Sequence, residues 1–185
     1  EGSAIETSLF AGMADWMNVP LIWFEGTGAE PKRMGLAHPS ICPYGAFQTK
    51  DGHDVLIAIQ NEREWASFCA QFLDEPELPK KPGFTVNNDR VAHRPTVDAH
   101  IQAMFATLTR DECAAKLRRA NTAYGFVNDC GGLQQHPALK RMPVQTEAGP
   151  IEVALPAARL SDGVRPFGAV PSLGQHSAAI RAEFA

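Results

Sequence analysis

Apolar residues recur at the spacing of an α-helix near the start of the chain. Thr7 or Ser8 precedes them, and either hydroxyl can accept a backbone N–H bond that the first turn of a helix leaves free. The pattern predicts an amphipathic helix with one very apolar face. The apolar positions are Leu9, Phe10, Met13, Trp16 and Met17.

Prolines and glycines interrupt this pattern. Because these residues favour turns and remove backbone donors, we expect an extended linker from about Val19 to Pro43, with a domain boundary inside it. The interrupting residues are Pro20, Gly26, Gly28, Pro31 and Gly35.

Two short runs typical of strands follow, at 46–49 and 55–59, on either side of Lys50-Asp51-Gly52. Gly52 can supply the positive φ of a tight turn, so a β-hairpin is predicted. Directly after it, Asn61 can cap a helix while Glu64 bonds back to the cap. The predicted buried stripe of that helix is Trp65, Phe68, Cys69 and Phe72.

Further helical patterns follow a proline-rich break at 76–82. One helix is predicted to start near Thr96, and a capping box at Thr109 and Glu112 opens another that ends near Arg118 and Arg119. Three helices and a hairpin then make a compact α+β unit. The apolar positions of the helix near Thr96 are Val97, Ile101, Met104, Phe105 and Leu108.

The last part of the chain has a different texture. A helix start is predicted at Asp129, within turns, and a second hairpin is expected from 144–146 and 151–154, joined by a Gly149-Pro150 turn. A terminal helix is expected over 177–184.

Composition and charge restrict the functions that are possible. With 185 residues, 44% of them hydrophobic, the chain can bury a core. A net charge of −4 without runs of like charge argues against nucleic-acid binding and against a polybasic membrane surface. No apolar stretch reaches the roughly 20 residues of a membrane span. The four cysteines have no Cys-x-x-Cys spacing, so we expect free thiols in a cytoplasmic protein.

Five segments taken together resemble the class III CoA-transferases, the family of formyl-CoA transferase, carnitine dehydratase and bile-acid-inducible F proteins. The longest is GLAHPSICPYGAFQTKDG, from Gly35 to Gly52. Each of the others is weak alone, but their order and separation make the resemblance specific. The other segments are Asn88–Arg94, Tyr124–Asp129, His136-Pro137 and Pro171–His176.

The resemblance implies an α+β fold in which a short antiparallel sheet packs against helices. It also implies that this chain is the C-terminal portion of a longer enzyme, because in the family a large nucleotide-fold domain precedes the matching region. We therefore expect residues 1–30 to be a helix and linker of that large domain and residues 31–142 to be a small substrate-lid domain. Residues 143–185 are expected to form a hairpin and helix that return to the large domain.

The activity implied by the resemblance is transfer of CoA between small carboxylic acids through an acyl-enzyme anhydride. The family nucleophile is an aspartate for which this chain has no match, so no catalytic residue is assigned and the chain alone is expected to be inactive. The CoA thioester is a substrate, and no tightly bound cofactor is implied. Family members form interlocked homodimers, and the first helix, with Trp16, Met17, Trp23 and Phe24 nearby, has more apolar surface than a small domain needs, which also favours association.

Substrate or CoA contacts are expected mainly from the loop before the hairpin. His38, Ser40, Tyr44 and Gly45 lie there, and their matching loop in the family covers the acyl-CoA site. The alternative is that this loop only shapes a turn. Arg33 could meet CoA phosphates, although such a residue more often belongs to a solvated loop.

Asn61 is also a candidate for substrate contact, because racemase-like members resemble this region but carry a carboxylate base there. An amide cannot act as that base, which favours acyl transfer, and the helix cap is an equal alternative. A non-catalytic binding module, or a racemase or lyase, remains open as a function.

The sequence disfavours a metal site and a hydrolase site, and it favours a structural role for one pair of arginines. The six histidines lack ligand spacing, so no metal site is expected. Pairs such as Cys42 with His38 could form a hydrolase site only if the fold joined them. Arg90 and Arg94 are expected to be structural and to pair with acids of the loop after Leu73.

Overall fold

The computed structural model describes residues 2–158, 163 and 167–184. The chain divides into two compact units, Glu1–Val127 and Asn128–Ala185, which are taken separately below. Helices and short antiparallel strands occur in both units, which confirms the predicted α+β class.

The first unit contains most of the regular structure. Its helices are α1 (Leu9–Trp16), α2 (Asn18–Thr27), α3 (Glu62–Gln71), α4 (Asn87–Ala92), α5 (Arg94–Phe105) and α6 (Arg110–Arg119). Its strands are β1 (Tyr44–Gln48), β2 (Asp54–Ala58) and β3 (Ala123–Phe126), and a short 3-10 helix spans Leu78–Lys80.

The first helix forms as predicted, but the linker predicted from Val19 is wrong at its start because α2 occupies that segment. Pro20 lies in the first turn of α2, where a missing N–H leaves no helical bond unmade. Gly28 ends the helix with a φ of 69°, a left-handed conformation that glycine adopts without strain. Neither α1 nor α2 contains a buried side chain.

The hairpin of β1 and β2 is confirmed, and β2 is the central strand of a three-stranded antiparallel sheet in the order β1-β2-β3. Gly52 has the predicted positive φ, 79°. β3, which pairs Tyr124 with Ile57, was expected to be turns. Its half-exposed side chains and the central Gly125 give it only a weak strand pattern.

The core of this unit lies between the sheet and α3, α5 and α6. Aromatic rings form a continuous stack in which Phe72 contacts Phe68 and Phe105, each at 4.8 Å between centroids. Phe47 of β1 joins the stack at 5.2 Å from Phe105. The sheet is therefore fixed to the helices by the stripes predicted from the sequence, although α5 begins at Arg94 rather than near Thr96.

The caps in this unit follow the sequence closely. The Thr109 hydroxyl accepts from the Glu112 amide while the Glu112 carboxylate accepts from the Thr109 amide, which is the predicted capping box. Asn61 caps α3 by accepting from the Glu64 amide at 3.0 Å. These local bonds determine where α3 and α6 begin.

The second unit contains α7 (Cys130–Gln134), α8 (Ser177–Glu183) and a hairpin of β4 (Arg141–Thr146) and β5 (Gly149–Ala154). Asp129 caps α7 as predicted, by accepting from the Gly132 amide. The predicted Gly149-Pro150 turn is displaced, because Gly149 pairs with Thr146 and Pro150 with Gln145 inside the ladder. The connection is therefore made by residues 147 and 148.

Candidate functional site

The site loop, residues 35–45, brings three of the predicted contact residues together. The His38 amide donates to the Tyr44 carbonyl at 2.9 Å, and the two rings stack with centroids 5.3 Å apart. The Ser40 amide donates to His38 Nδ1 at 3.2 Å. Since Nδ1 accepts this bond, the neutral imidazole carries its proton on Nε2, which can then act as a donor.

Gly45 follows Tyr44 and is buried at the start of β1. A Cβ atom at this position would lie 3.5 Å from the Cβ of Ala37, which is an ordinary contact distance. The backbone here does not require glycine for close approach.

Arg33 and Asn61 are not joined to the cluster of His38, Ser40 and Tyr44 by hydrogen bonds. The exposed Arg33 side chain makes no hydrogen bond or ion pair with any residue that the structure describes. In Asn61, Oδ1 accepts from the Glu64 amide and Nδ2 donates to Glu64 Oε1 at 2.7 Å. Both ends of the Asn61 amide therefore serve the cap of α3.

Side chains from α4 and α5 hold the backbone of the site loop. Asn87 donates to the Ser40 carbonyl at 2.9 Å and accepts from the Cys42 amide at 3.0 Å. Arg94 Nη2 donates to the carbonyls of His38 and Ile41, both at 2.7 Å. The partners in these contacts are separated along the chain by between 45 and 56 positions, so no local sequence pattern reveals them.

Arg90 is the third side chain that holds the loop, and its position corrects the predicted pairing of Arg90 with acids after Leu73. Its guanidinium pairs with Glu62 instead, and its Nε donates to the Cys42 carbonyl at 2.6 Å. Burial works to raise the pKa of Glu62, but hydrogen bonds from Arg90 and from the Asn87 amide hold that pKa below its usual value.

Cys42 does not have the properties of a nucleophile. Its side chain is fully buried, and burial, with a smaller contribution from the charge of Asp98, raises the pKa of the thiol to about 11. At neutral pH the group is therefore a thiol, which is a poor nucleophile. The arrangement gives no support to a hydrolase that pairs Cys42 with His38.

A cleft of about 520 Å³ lies beside the site loop. Residues of the loop, β1 and α5 line it, and the Asp98 side chain of α5 is 35% exposed. Burial raises the pKa of Asp98, and the nearby charge of Arg94 offsets only part of this. The lining residues are Met34, Leu36, Ala37, Gly45, Ala46, Phe47, Asp54, Asp98, Ala99 and Gln102.

Metal chemistry and membrane insertion find no support in the part of the chain that the structure describes. Among residues 2–158, 163 and 167–184, no three His, Cys, Asp or Glu side chains are placed to hold a metal ion. Within those same ranges, no helix combines the length and apolar character needed to span a bilayer.

Comparison with known proteins identifies one family. A family model described as CoA-transferase family III matches residues 1–177. An acyl-CoA transferase of Fusarium pseudograminearum is 33% identical over 98% of this chain and 41% of its own length. A succinyl-CoA:glutarate CoA-transferase of Homo sapiens is 31% identical over 83% of this chain and 36% of its own length.

A solved structure agrees with these sequence relatives. A CAIB/BAIF family protein from Brucella suis has a TM-score of 0.76 and 28% identity, and the match covers 100% of this chain and 49% of that protein. The chain therefore spans less than half the length of the proteins that it matches. The predicted resemblance is confirmed.

Proposed function

Since the chain belongs to CoA-transferase family III, we propose that it forms part of an enzyme that transfers CoA between small carboxylic acids. The observation that carries the proposal is the cluster of His38, Ser40 and Tyr44 in the site loop. Relatives named as a succinyl-CoA:glutarate CoA-transferase and as a succinate–glutarate CoA-transferase support the reaction class. Acyl-CoA is then a substrate, and no tightly bound cofactor is needed.

The site loop supplies hydrogen-bond donors in this proposal. The Tyr44 hydroxyl has no hydrogen-bond partner among the described residues, and the Ser40 hydroxyl has only a 3.4 Å contact with His38 Nδ1. Donors that are free in the resting protein can bind a thioester oxygen or a substrate carboxylate. Charge that develops on the carbonyl oxygen during attack would strengthen such bonds.

The nucleophile of the proposed reaction is a carboxylate that attacks the thioester carbon. The C–S bond breaks, CoA leaves as the thiolate, and an enzyme-linked anhydride forms. The thiolate then attacks the enzyme carbonyl of the anhydride, so that the donor acid leaves and an enzyme–CoA thioester remains. The acceptor carboxylate displaces CoA from it to form a second anhydride, and attack of CoA on the acceptor carbonyl gives the new thioester and frees the enzyme carboxylate. No residue of this chain is assigned as that nucleophile. We therefore propose that it comes from another part of the full-length protein, and that this chain alone does not turn over.

We also propose a domain organisation for the full-length protein. In it, residues 31–142 act as a small lid domain, and residues 1–30 and 143–185 pack against a larger domain. The exposed apolar side chains of α1 support this, since such surfaces in soluble proteins are usually covered. A homodimer would cover the same surface.

We also propose a cytoplasmic protein without a nucleic-acid or membrane partner. The four cysteines are all free thiols in the structure, which suits a reducing compartment. Arg33, which is exposed, remains a proposed contact for CoA phosphate, and Gly45 a proposed contact for the acyl group. Asn61 is also a proposed substrate contact, in which its side-chain amide bonds to the substrate while it keeps its bonds to Glu64 in the cap of α3.

The test is an assay of the full-length protein with acyl-CoA donors and a panel of mono- and dicarboxylic acids, followed by mass spectrometry of the CoA thioesters. We expect exchange of CoA between acids, and we expect Tyr44→Phe to lower the rate about tenfold, as for loss of one hydrogen bond to charge. Tyr124→Phe is the matched control, because Tyr124 bonds to Arg118 on α6 instead.

Three outcomes would count against the proposal. Racemisation or dehydration of the donor acyl group, without exchange, would favour a racemase or lyase. Binding of acyl-CoA without any reaction would favour a non-catalytic module. Equal effects of the two tyrosine substitutions would remove Tyr44 from the site.

A further inference from the structure

The backbone of the site loop is held by side chains of α4 and α5. Asn87 is the first residue of α4, and its side-chain amide spans two loop residues. Its Oδ1 accepts from the Cys42 amide and its Nδ2 donates to the Ser40 carbonyl. Because a backbone N–H can only donate, the Cys42 bond determines which end of the Asn87 amide is oxygen. Both ends of the Asn87 side-chain amide therefore bond to the backbone of the loop.

Arg94 holds the loop at two other points. One nitrogen, Nη2, donates to the carbonyls of His38 and Ile41, which flank the turn at Ser40. The other, Nη1, is buried, has no hydrogen-bond partner among the described residues, and lies 4.0 Å from Asp98. The Arg94 guanidinium therefore bonds to the loop and makes no close ion pair with Asp98 on its own helix.

These bonds determine where the functional side chains stand. The carbonyl of His38 and the carbonyl of Ser40 are fixed from α5 and α4, and the His38 ring is placed between the Ser40 amide and the Tyr44 ring. A shift of the backbone between His38 and Cys42 would change all of these contacts at once. The donors of the site are consequently preorganised by side chains that bond to the loop backbone.

We propose that Asn87 and Arg94 are positioning residues, which hold the site loop so that His38, Ser40 and Tyr44 meet the acyl-CoA thioester in a fixed arrangement. This inference rests on the proposed function for its effect on turnover. Its structural part, the hold on the loop, can be measured independently of any reaction.

The sharpest test compares Asn87→Asp with Asn88→Asp in the full-length protein. Both substitutions make the same chemical change at adjacent positions of α4, but the exposed Asn88 side chain has no hydrogen bond with the described residues. Asp at position 87 can still accept from the Cys42 amide but cannot donate to the Ser40 carbonyl when ionised. Both variants are expected to fold, because acidic residues are favourable at a helix N-terminus.

Hydrogen exchange reports the hold on the loop. In Asn87→Asp we expect the amide of His38, which bonds to the Tyr44 carbonyl across the loop, to exchange on the order of tenfold faster than in Asn88→Asp, because the bond to the Ser40 carbonyl is lost. The difference should shrink when the pH is lowered towards 4, since a protonated Asp side chain can again donate to the Ser40 carbonyl. A residue that acts only in folding would not give this pH-dependent recovery.

Kinetics report the effect on the site. We expect kcat to fall about tenfold in Asn87→Asp while KM changes little, because the loop donors matter most when charge develops on the thioester oxygen. Arg94→Lys provides a second variant that keeps the charge but cannot bond both carbonyls in one plane. Arg119→Lys is its control, since the exposed Arg119 side chain makes no bond with the described residues.

The outcomes separate this inference from the proposed function. Faster exchange in Asn87→Asp and Arg94→Lys, with no CoA transfer in the wild-type protein, would support the hold on the loop and reject the proposed function. Wild-type transfer with unchanged exchange and unchanged kcat in both variants would overturn the inference while the proposed function stands. A fall in kcat without faster exchange would overturn it as well.

Discussion

Arg90 and Glu62 form a two-bond ion pair that joins α4 to α3. Arg90 Nη1 lies 2.6 Å from Glu62 Oε2, and Nη2 lies 3.2 Å from Oε1. The arginine is 1% exposed, whereas the glutamate side chain is 50% exposed. The remaining donors of Arg90 reach the carbonyls of Cys42 and Thr85, so one buried cation connects two helices with the site loop.

Replacing this arginine should destabilise the fold strongly. Arg90→Met retains much of the volume against Trp65, whose ring lies 5.0 Å from the guanidinium. It leaves the buried Cys42 carbonyl and the partly buried Thr85 carbonyl without their Arg90 donors. We expect a loss of about 3 kcal/mol in the free energy of unfolding, measured by urea denaturation. The exposed Arg119→Met should change it by less than about 0.5 kcal/mol. Similar losses of unfolding free energy in both variants would show that the hydrogen bonds of Arg90 contribute little to stability.

Elements held by local bonds could be predicted from the sequence, and those held by distant bonds could not. The turn at Gly52 and the caps at Asn61 and Thr109 depend on residues within four positions of each other, so the pattern contains all the necessary information. α2 was missed because Pro20 was interpreted as a break, although proline is tolerated in the first turn.

The site shows the same division between local and distant contacts. The His38–Tyr44 cluster could be predicted because its members are close in sequence and belong to a specific resemblance. Asn87 and Arg94 were missed as supports of the loop, because α4 is too short to show a helical period and its partners lie 45 or more positions away. Sequence separation, rather than residue type, limited the prediction.

Glu62 pairs with Arg90, and Asp98 lies 4.0 Å from Arg94. As the pH changes, the contributions of these two carboxyl groups to the free energy of unfolding should change in opposite directions. Glu62 has a lowered pKa when folded, so its contribution is present above its usual value of 4.5 and is lost as the pH falls. Asp98 has a raised pKa when folded, so its contribution is present below 3.8 and is lost as the pH rises.

We therefore expect Glu62→Gln to be less stable than wild type at pH 7, with a smaller difference at pH 4.5. Asp98→Asn should be more stable than wild type at pH 7, and its advantage should also shrink towards lower pH. Urea titrations at several pH values test both variants. The same sign for the two differences at pH 7 would contradict the prediction.

Thiol reactivity should distinguish the cysteines. Burial raises the pKa of Cys42 and of Cys113 to about 11, and that of Cys69 to about 12, whereas Cys130 is exposed. At pH 8 we expect iodoacetamide to modify Cys130 alone in the folded chain, and all four cysteines after unfolding in guanidinium, as judged by mass spectrometry. Rapid modification of Cys42 in the folded chain would restore it as a candidate nucleophile.

The cap role of Asn61 can be separated from a substrate contact by two substitutions. Asn61→Ser keeps an oxygen that accepts from the Glu64 amide, whereas Asn61→Ala removes it. We expect Asn61→Ala to lose about 1 kcal/mol in the free energy of unfolding and Asn61→Ser to lose much less. Equal stability of both variants, together with weaker acyl-CoA binding in each, would favour the substrate contact instead.

Self-association should depend on the apolar surface of α1. Leu9 is 91% exposed and Trp16 85%, so their side chains contribute nothing to the core and are available to a second surface. We expect the chain to associate in light scattering across a dilution series and Leu9→Ser to weaken that association without changing the melting temperature. Leu173→Ser is the matched control, because Leu173 is fully exposed outside α1. Monomeric wild-type chain at every concentration would contradict the prediction, and equal effects of the two leucine substitutions would place the contact surface elsewhere.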